Sequence, residues 1–141
     1  MNAWERQRAL ARTTNLWAAA SIAVGAPLAA RAEPWWRAFG QQHLGWGVVD
    51  LGIVAVLNTV QARRMSGLAN PLAPAALARE QRRLHRVLLI NVAADAGYLI
   101  GGLVMWRRRS QPRVSGAGAA IALQGAFLLA HDAYHAWGSA D

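Results

Sequence analysis

The 141-residue chain contains no cysteine. That excludes a disulfide framework, a thiolate metal site, a CxxC redox motif and a cysteine nucleophile. Lysine is absent as well, so all 15 basic residues are Arg. Charge is scarce: 16% of residues are Asp, Glu or Arg, against about a quarter charged in an ordinary soluble domain. With 55% hydrophobic residues, the chain is not disordered, and its length suits a single domain.

What is present is an uneven distribution of those few charges. Residues 13–30 hold no ionisable group, residues 44–62 only Asp50, residues 87–106 only Asp95, and residues 114–130 none. Each stretch has the length that a helix needs to cross roughly 30 Å of hydrocarbon. A soluble bundle helix carries a charged outer face along its whole length, and these stretches have none. The expected fold is therefore all-α, an integral membrane four-helix bundle in which residues 1–141 form one transmembrane domain. Its spans are expected at about 13–30, 43–63, 86–106 and 115–137. Residues 1–32 also have the layout of a signal peptide, but the stretch is read here as the first membrane helix, with Pro27 kinking or ending it.

The net charge of +8 invites a nucleic-acid reading. The Arg positions argue against it, because they bracket the apolar stretches instead of forming one basic face. Arg6, Arg8, Arg12, Arg63, Arg64, Arg79, Arg82, Arg83 and Arg86 fall on one side of the proposed membrane. Arg31, Arg37, Arg107, Arg108, Arg109 and Arg113 fall on the other. That bias places the N- and C-termini in the cytoplasm, in a bacterial cytoplasmic (inner) membrane. Trp35, Trp36, Trp46 and Trp106 fit one interfacial belt, and Trp4, Trp17 and Trp137 the other.

Ionisable groups inside a span are expensive and usually face the bundle interior. At 100° per residue, His43, Gly47, Asp50, Val54, Asn58 and Gln61 share one face of the second span. Asn91, Asp95, Tyr98 and Gly102 share one face of the third, and Gln124, Leu128, His131 and His135, with Asp132 at the edge, one face of the fourth. The first span has no such stripe and is expected at the periphery. At about 1.5 Å per residue, Asp50, Tyr98 and Gln124 lie roughly 9–12 Å from the outer face. Asn58, Asn91, His131 and Asp132 lie deeper, at roughly 21–24 Å, with Asp95 between. These eight side chains form the expected polar intramembrane cluster. Asp50 and Asp95 are expected to be protonated, or bonded to Asn, Tyr, Gln or water.

Two further spacings carry chemistry. His131 and His135 share a helix face, as a metal pair requires, but no Glu follows the first His and the third ligand is missing. Haem between His85 and His135 is a remoter form of the same idea. Gly97 and Gly101 make a GxxxG spacing, a face that admits close approach of another helix of this chain or of a second copy.

Phe39, Gly40, Gln41, Gln42, His43, Leu44, Gly45, Trp46, Gly47, Val48, Val49 and Asp50 form one continuous run. Together with the segment from Asn91 to Tyr98 and the segment from Leu123 to Leu129, it resembles an uncharacterised family of small bacterial four-span membrane proteins. The resemblance covers about Trp36 to the C-terminus. It implies a four-span fold, assigns no activity, and marks Asp50, Asp95, Tyr98 and Gln124.

Three functions are consistent with these features. The leading one is a non-catalytic membrane protein, an oligomer or an accessory subunit of a larger complex, with the lipid bilayer as its first partner and no cofactor. It requires a closed, dry, hydrogen-bonded polar centre. The second is a small proton, ion or solute permeation protein using Asp50, Asp95, His131 and Asp132, which requires a water-accessible path. The third is a metal or haem protein using His131 and His135.

Overall fold

The computed structural model describes residues 1–138, and among them every regular element is helical. The helices are α1 (Ala3–Ala29), α2 (Pro34–Ser66), α3 (Pro74–Trp106) and α4 (Pro112–Trp137). Their starts are written locally. Asn2 and Glu5 form a reciprocal capping box at α1. The Glu33 carboxylate accepts the backbone N–H groups of Trp35 and Trp36 at 2.9 Å, ahead of α2. Proline opens α2, α3 and α4, where its missing N–H removes no helical bond. Pro27 does not break α1 at once; the helix runs two residues further and stops.

The helices extend past the uncharged stretches. At 33 residues each, α2 and α3 are about 50 Å long, well beyond the hydrocarbon thickness. The basic segment before the third apolar stretch is simply the first turns of α3. Helices α2, α3 and α4 are long and apolar enough to cross a membrane. α1 falls short of them, because Glu5, Arg6, Arg8 and Arg12 fill its first part and Ala, Thr and Asn much of the rest. The outward faces of α2 and α3 are exposed and apolar, with Val48, Val49, Leu51 and Val56 on one and Leu89, Ile90, Ile100 and Val104 on the other. A surface of that extent suits lipid rather than water.

Successive helices run antiparallel and pack as two close hairpins, α1 with α2 and α3 with α4. The hairpins join through α2 and α4, while α1 meets α3 only lightly and α2 scarcely touches α3. α4 is the central helix: 50% of its apolar stretch is buried, against 22% in α2 and 17% in α3.

Small residues set the closeness of each hairpin. A Cβ on Gly40 would fall 2.3 Å from the backbone nitrogen of Ala29, and one on Gly25 would fall 2.5 Å from that of Leu44. In the second hairpin a Cβ on Gly102 would fall 2.3 Å from the nitrogen of Ala122, and one on Gly118 would fall 2.4 Å from that of Trp106. Backbones this near exchange dispersion contacts that larger side chains would prevent. The expected packing face at Gly97 and Gly101 is not used within the chain: a Cβ at either position would meet nothing within 4 Å. The seam runs through Gly102 instead, because α3 turns its Asp95 face towards α4 and the Gly97–Gly101 face lies away from it.

Both ends are tied. At one, the Trp35 indole donates to Ser115 Oγ at 3.2 Å, and Ser115 donates to the Trp106 carbonyl at 2.8 Å. At the other, Trp4 is buried and donates to the Pro71 carbonyl at 2.9 Å, and Gln61 donates to the Trp4 carbonyl at 3.1 Å. Arg6 donates to the His135 carbonyl there at 2.5 Å. Trp4 is buried, Trp17 bonds inside the bundle, and Trp46 meets Tyr98 edge-on.

The seam makes a sharp contrast between neighbouring positions. Gly102→Val is expected to destabilise the protein by about 3 kcal/mol, the upper end for overpacking. Gly101→Val is expected to change the stability of the isolated chain by less than about 0.5 kcal/mol. Equilibrium unfolding in mixed micelles measures both, and equal losses would refute the seam.

Candidate functional site

The polar residues of α2, α3 and α4 meet around a cleft of about 440 Å³. It is lined from all four helices, and every lining residue comes from 7–14, 46–64, 80–98 or 128–132. The cleft thus occupies only the half of the bundle that contains the N-terminus of α1. It opens between α2 and α3, where the lining residues Ile53, Leu57, Val87 and Tyr98 are exposed. The expectation of a closed polar centre does not describe this arrangement. The reason is steric: no pair of glycines draws α2 onto α3, and the facing side chains are large.

Asp50, at the deep end, is buried, and its Oδ2 accepts a hydrogen bond from Gln124 Nε2 at 2.8 Å. Gln124 Oε1 in turn accepts the indole N–H of Trp17 at 2.6 Å. Gln124 is 2% exposed, so this chain of bonds crosses the core from α1 through α4 to α2. Through Trp17, α1 reaches this polar centre, although it packs mainly on α2 and only lightly on α3. Trp17 lies on a helix without a polar stripe, yet its indole carries the needed donor. The Trp17 ring stacks on Phe127 at 4.0 Å, which holds it in place.

Nearer the N-terminal end, His131 Nδ1 lies 2.9 Å from Asp132 Oδ1. Asp95 is buried on α3 within electrostatic reach of Asp132, His131 and Asp50. Asp95 Oδ2 and His131 Nε2 are both buried and have no hydrogen-bond partner among the described residues. Asn58 and Asn91 line the cleft from exposed positions and bond none of the carboxyls. Tyr98 is 42% exposed and joins the group by its ring contact with Trp46, at 5.3 Å, and not by a hydrogen bond. It sits at the edge of its stripe, where the opening between α2 and α3 leaves the phenol outside the Asp50–Gln124 pair.

The mouth holds groups that the sequence reading left out. Glu80 is buried and pairs with Arg64 through both carboxylate oxygens, at 2.8 and 3.0 Å, and Gln7 donates to it at 3.2 Å. Their signal was a lone acidic residue in a run of Arg, which is hard to tell from an ordinary solvated loop.

The histidine pair is close, with ring centroids 5.0 Å apart. Among the described residues, however, no three His, Asp or Glu side chains gather as a metal site requires. Nδ1 of His131 is already engaged by Asp132, and His85 is exposed on α3. Among the described residues the two histidines are therefore a pair without a third metal ligand.

Removal of the central amide tests this wiring. Gln124→Leu orphans both the Trp17 indole and the Asp50 carboxyl and is expected to cost about 2–4 kcal/mol. Asp50→Asn retains an oxygen acceptor of the same shape and is expected to stay within about 1 kcal/mol of the native protein. Unfolding curves in mixed micelles that showed Gln124→Leu to be neutral would contradict the arrangement.

Comparison with known proteins adds a family and no activity. The model of a family of unknown function, DUF6992, matches residues 13–133. No curated protein and no solved structure matches the chain.

Proposed function

We propose, since the chain belongs to the DUF6992 family of unknown function, that it is a non-catalytic four-span membrane protein that admits a small solute or ion to a cleft open on one side. The single observation that supports this reading is the cleft itself. A purely structural polar network fills its own space with mutual hydrogen bonds. Here about 440 Å³ adjoins three carboxyl-bearing side chains, Asp50, Asp95 and Asp132, and a histidine.

In this reading the layer formed by Trp17, Gln124 and Asp50 is the barrier beyond the cleft, and a solute enters the N-terminal half through the opening between α2 and α3. α1 serves as the fourth span, its modest apolarity covered by its close packing on α2. Both termini and the N-terminal half face the cytoplasm in this reading, an orientation that the Arg bias supports, and the membrane is the bacterial cytoplasmic membrane. A homo-oligomer or an accessory role in a larger membrane complex is a second reading, favoured by the uncovered Gly97–Gly101 face.

The absence of native cysteine makes the test direct. Asn58→Cys and Asn91→Cys, both in the cleft, are expected to react with a membrane-impermeant maleimide from the N-terminal side of sealed vesicles only. Leu123→Cys, at an exposed apolar position of α4, is expected to stay unreacted, because the thiolate forms in water and not in lipid. Unreactive cysteines at both cleft positions, from both sides, would overturn the proposal.

A further inference from the structure

Independently of the cleft, we propose that the end of the bundle away from the N-terminus binds the headgroup of a zwitterionic phospholipid, with its phosphate at Arg109 and its ammonium at Glu33. A shallow recess of about 550 Å³ lies there. It sits where α2 starts, α3 ends and α4 starts. Those are the three helices long and apolar enough to cross a membrane. Their shared end therefore lies at the depth of the lipid headgroups, where Trp side chains are enriched.

The walls are aromatic and firmly held. The Trp35 indole is tied to Ser115 on α4, and its ring stacks on Phe39 at 5.3 Å. A Cβ on Gly116 would fall 2.2 Å from the Trp35 carbonyl oxygen, so the starts of α2 and α4 are closely packed. Trp36 stands edge-on to Trp35 at 4.7 Å. It is 47% exposed, and Trp106, at the end of α3, is 49% exposed. Trp4, Trp17 and Trp35 donate their indole N–H groups inside the bundle, whereas Trp36 and Trp106 make no such bond among the described residues. An exposed indole offers an N–H to a phosphate oxygen and an apolar face to the first methylenes of an acyl chain. A water-soluble zwitterion would leave that face uncovered.

Charge specifies the headgroup. Glu33 and Arg109 line the same recess, yet no ion pair joins them. The two Glu33 oxygens each accept one backbone N–H, which leaves a further lone pair on each. A guanidinium matches a phosphate through paired N–H donors. Opposite charges that border one recess without meeting fit a ligand that carries both signs. A purely anionic headgroup would satisfy Arg109 and face the Glu33 carboxylate, and a simple cation would do the reverse.

Native mass spectrometry of the protein released from detergent micelles tests this. The lipids are phosphatidylethanolamine and phosphatidylglycerol with the same acyl chains, at equal concentration. The protein is expected to retain one phosphatidylethanolamine about fivefold more than the anionic lipid, the upper range for an exposed ion pair. Arg109→Ala is expected to lower that retention by a similar factor, and Arg108→Ala, outside the recess, to leave it unchanged. Glu33→Gln keeps an oxygen for the α2 cap and is expected to abolish the preference between the lipids. Water-soluble glycerophosphoethanolamine in large excess is expected not to displace the lipid. Equal retention of both lipids by the native protein would overturn the proposal, as would equal losses in Arg108→Ala and Arg109→Ala. Displacement by the soluble headgroup would overturn it too, because the ligand would then not be a lipid. The comparison of lipids on the native chain needs no variant, so it decides the matter even if Glu33→Gln disturbs α2. None of these outcomes bears on the cleft.

Discussion

A carboxyl group left facing hydrocarbon costs several kcal/mol, and this chain carries three of them, Asp50, Asp95 and Asp132, within otherwise apolar helical segments. Much of the interior can be read as three different answers to that cost. Asp50 is met by a side-chain amide, which a tryptophan holds in turn. Asp132 is met by the adjacent imidazole on its own helix. Asp95 is met by neither and faces the cleft. The first two answers fix the register of α1, α2 and α4. The third leaves a buried carboxyl beside the cleft.

The cleft follows from where the glycines are. Gly25, Gly40 and Gly47 line the α1–α2 contact and Gly102, Gly118 and Gly125 the α3–α4 contact, drawing those backbones together, while the α2 and α3 faces that border the cleft carry Leu, Val, Ile, Trp and Tyr. Helices packed through glycine close up, and helices that present large side chains without a matching groove stay apart. α4 lies between the two arms and supplies Leu128, His131 and Asp132 to the lining. The ion pair of Arg64 with Glu80 then secures the end of α2 to the start of α3 at the mouth, and the Trp46–Tyr98 ring contact joins the same two helices at the deep end.

The helices were legible in the sequence because charge exclusion over a membrane's thickness is a coarse, repeated signal. The inward faces were legible for a similar reason: His43, Gly47, Asp50, Val54 and Gln61 share one side of α2 by period alone, and all are buried. What the wheel does not carry is which neighbour a face meets. It placed Tyr98 with Asp95, yet the phenol stands at the opening beside Trp46. It singled out Gly97 and Gly101 by spacing, though the close approach is at Gly102. Trp17 fitted an interfacial belt by sequence, because an indole counts as apolar in hydropathy while its N–H is what the Gln124 oxygen needs. The cleft depends on side-chain volumes at two helices that are distant in contact though adjacent in sequence, and no local pattern encodes that.

The central claim is that the half of the bundle nearest the N-terminus is hydrated as far as Asp95 and that the far half is dry. Water-edited solid-state NMR of the protein in lipid bilayers, with labelled Asp and Gln side chains, measures this at named groups. Rapid transfer from water to the side-chain carbons of Asp95 and Asp132, with slow transfer to the Gln124 amide, is the predicted result. Equally slow transfer to Asp95 and Gln124 would show a sealed polar core and contradict the account.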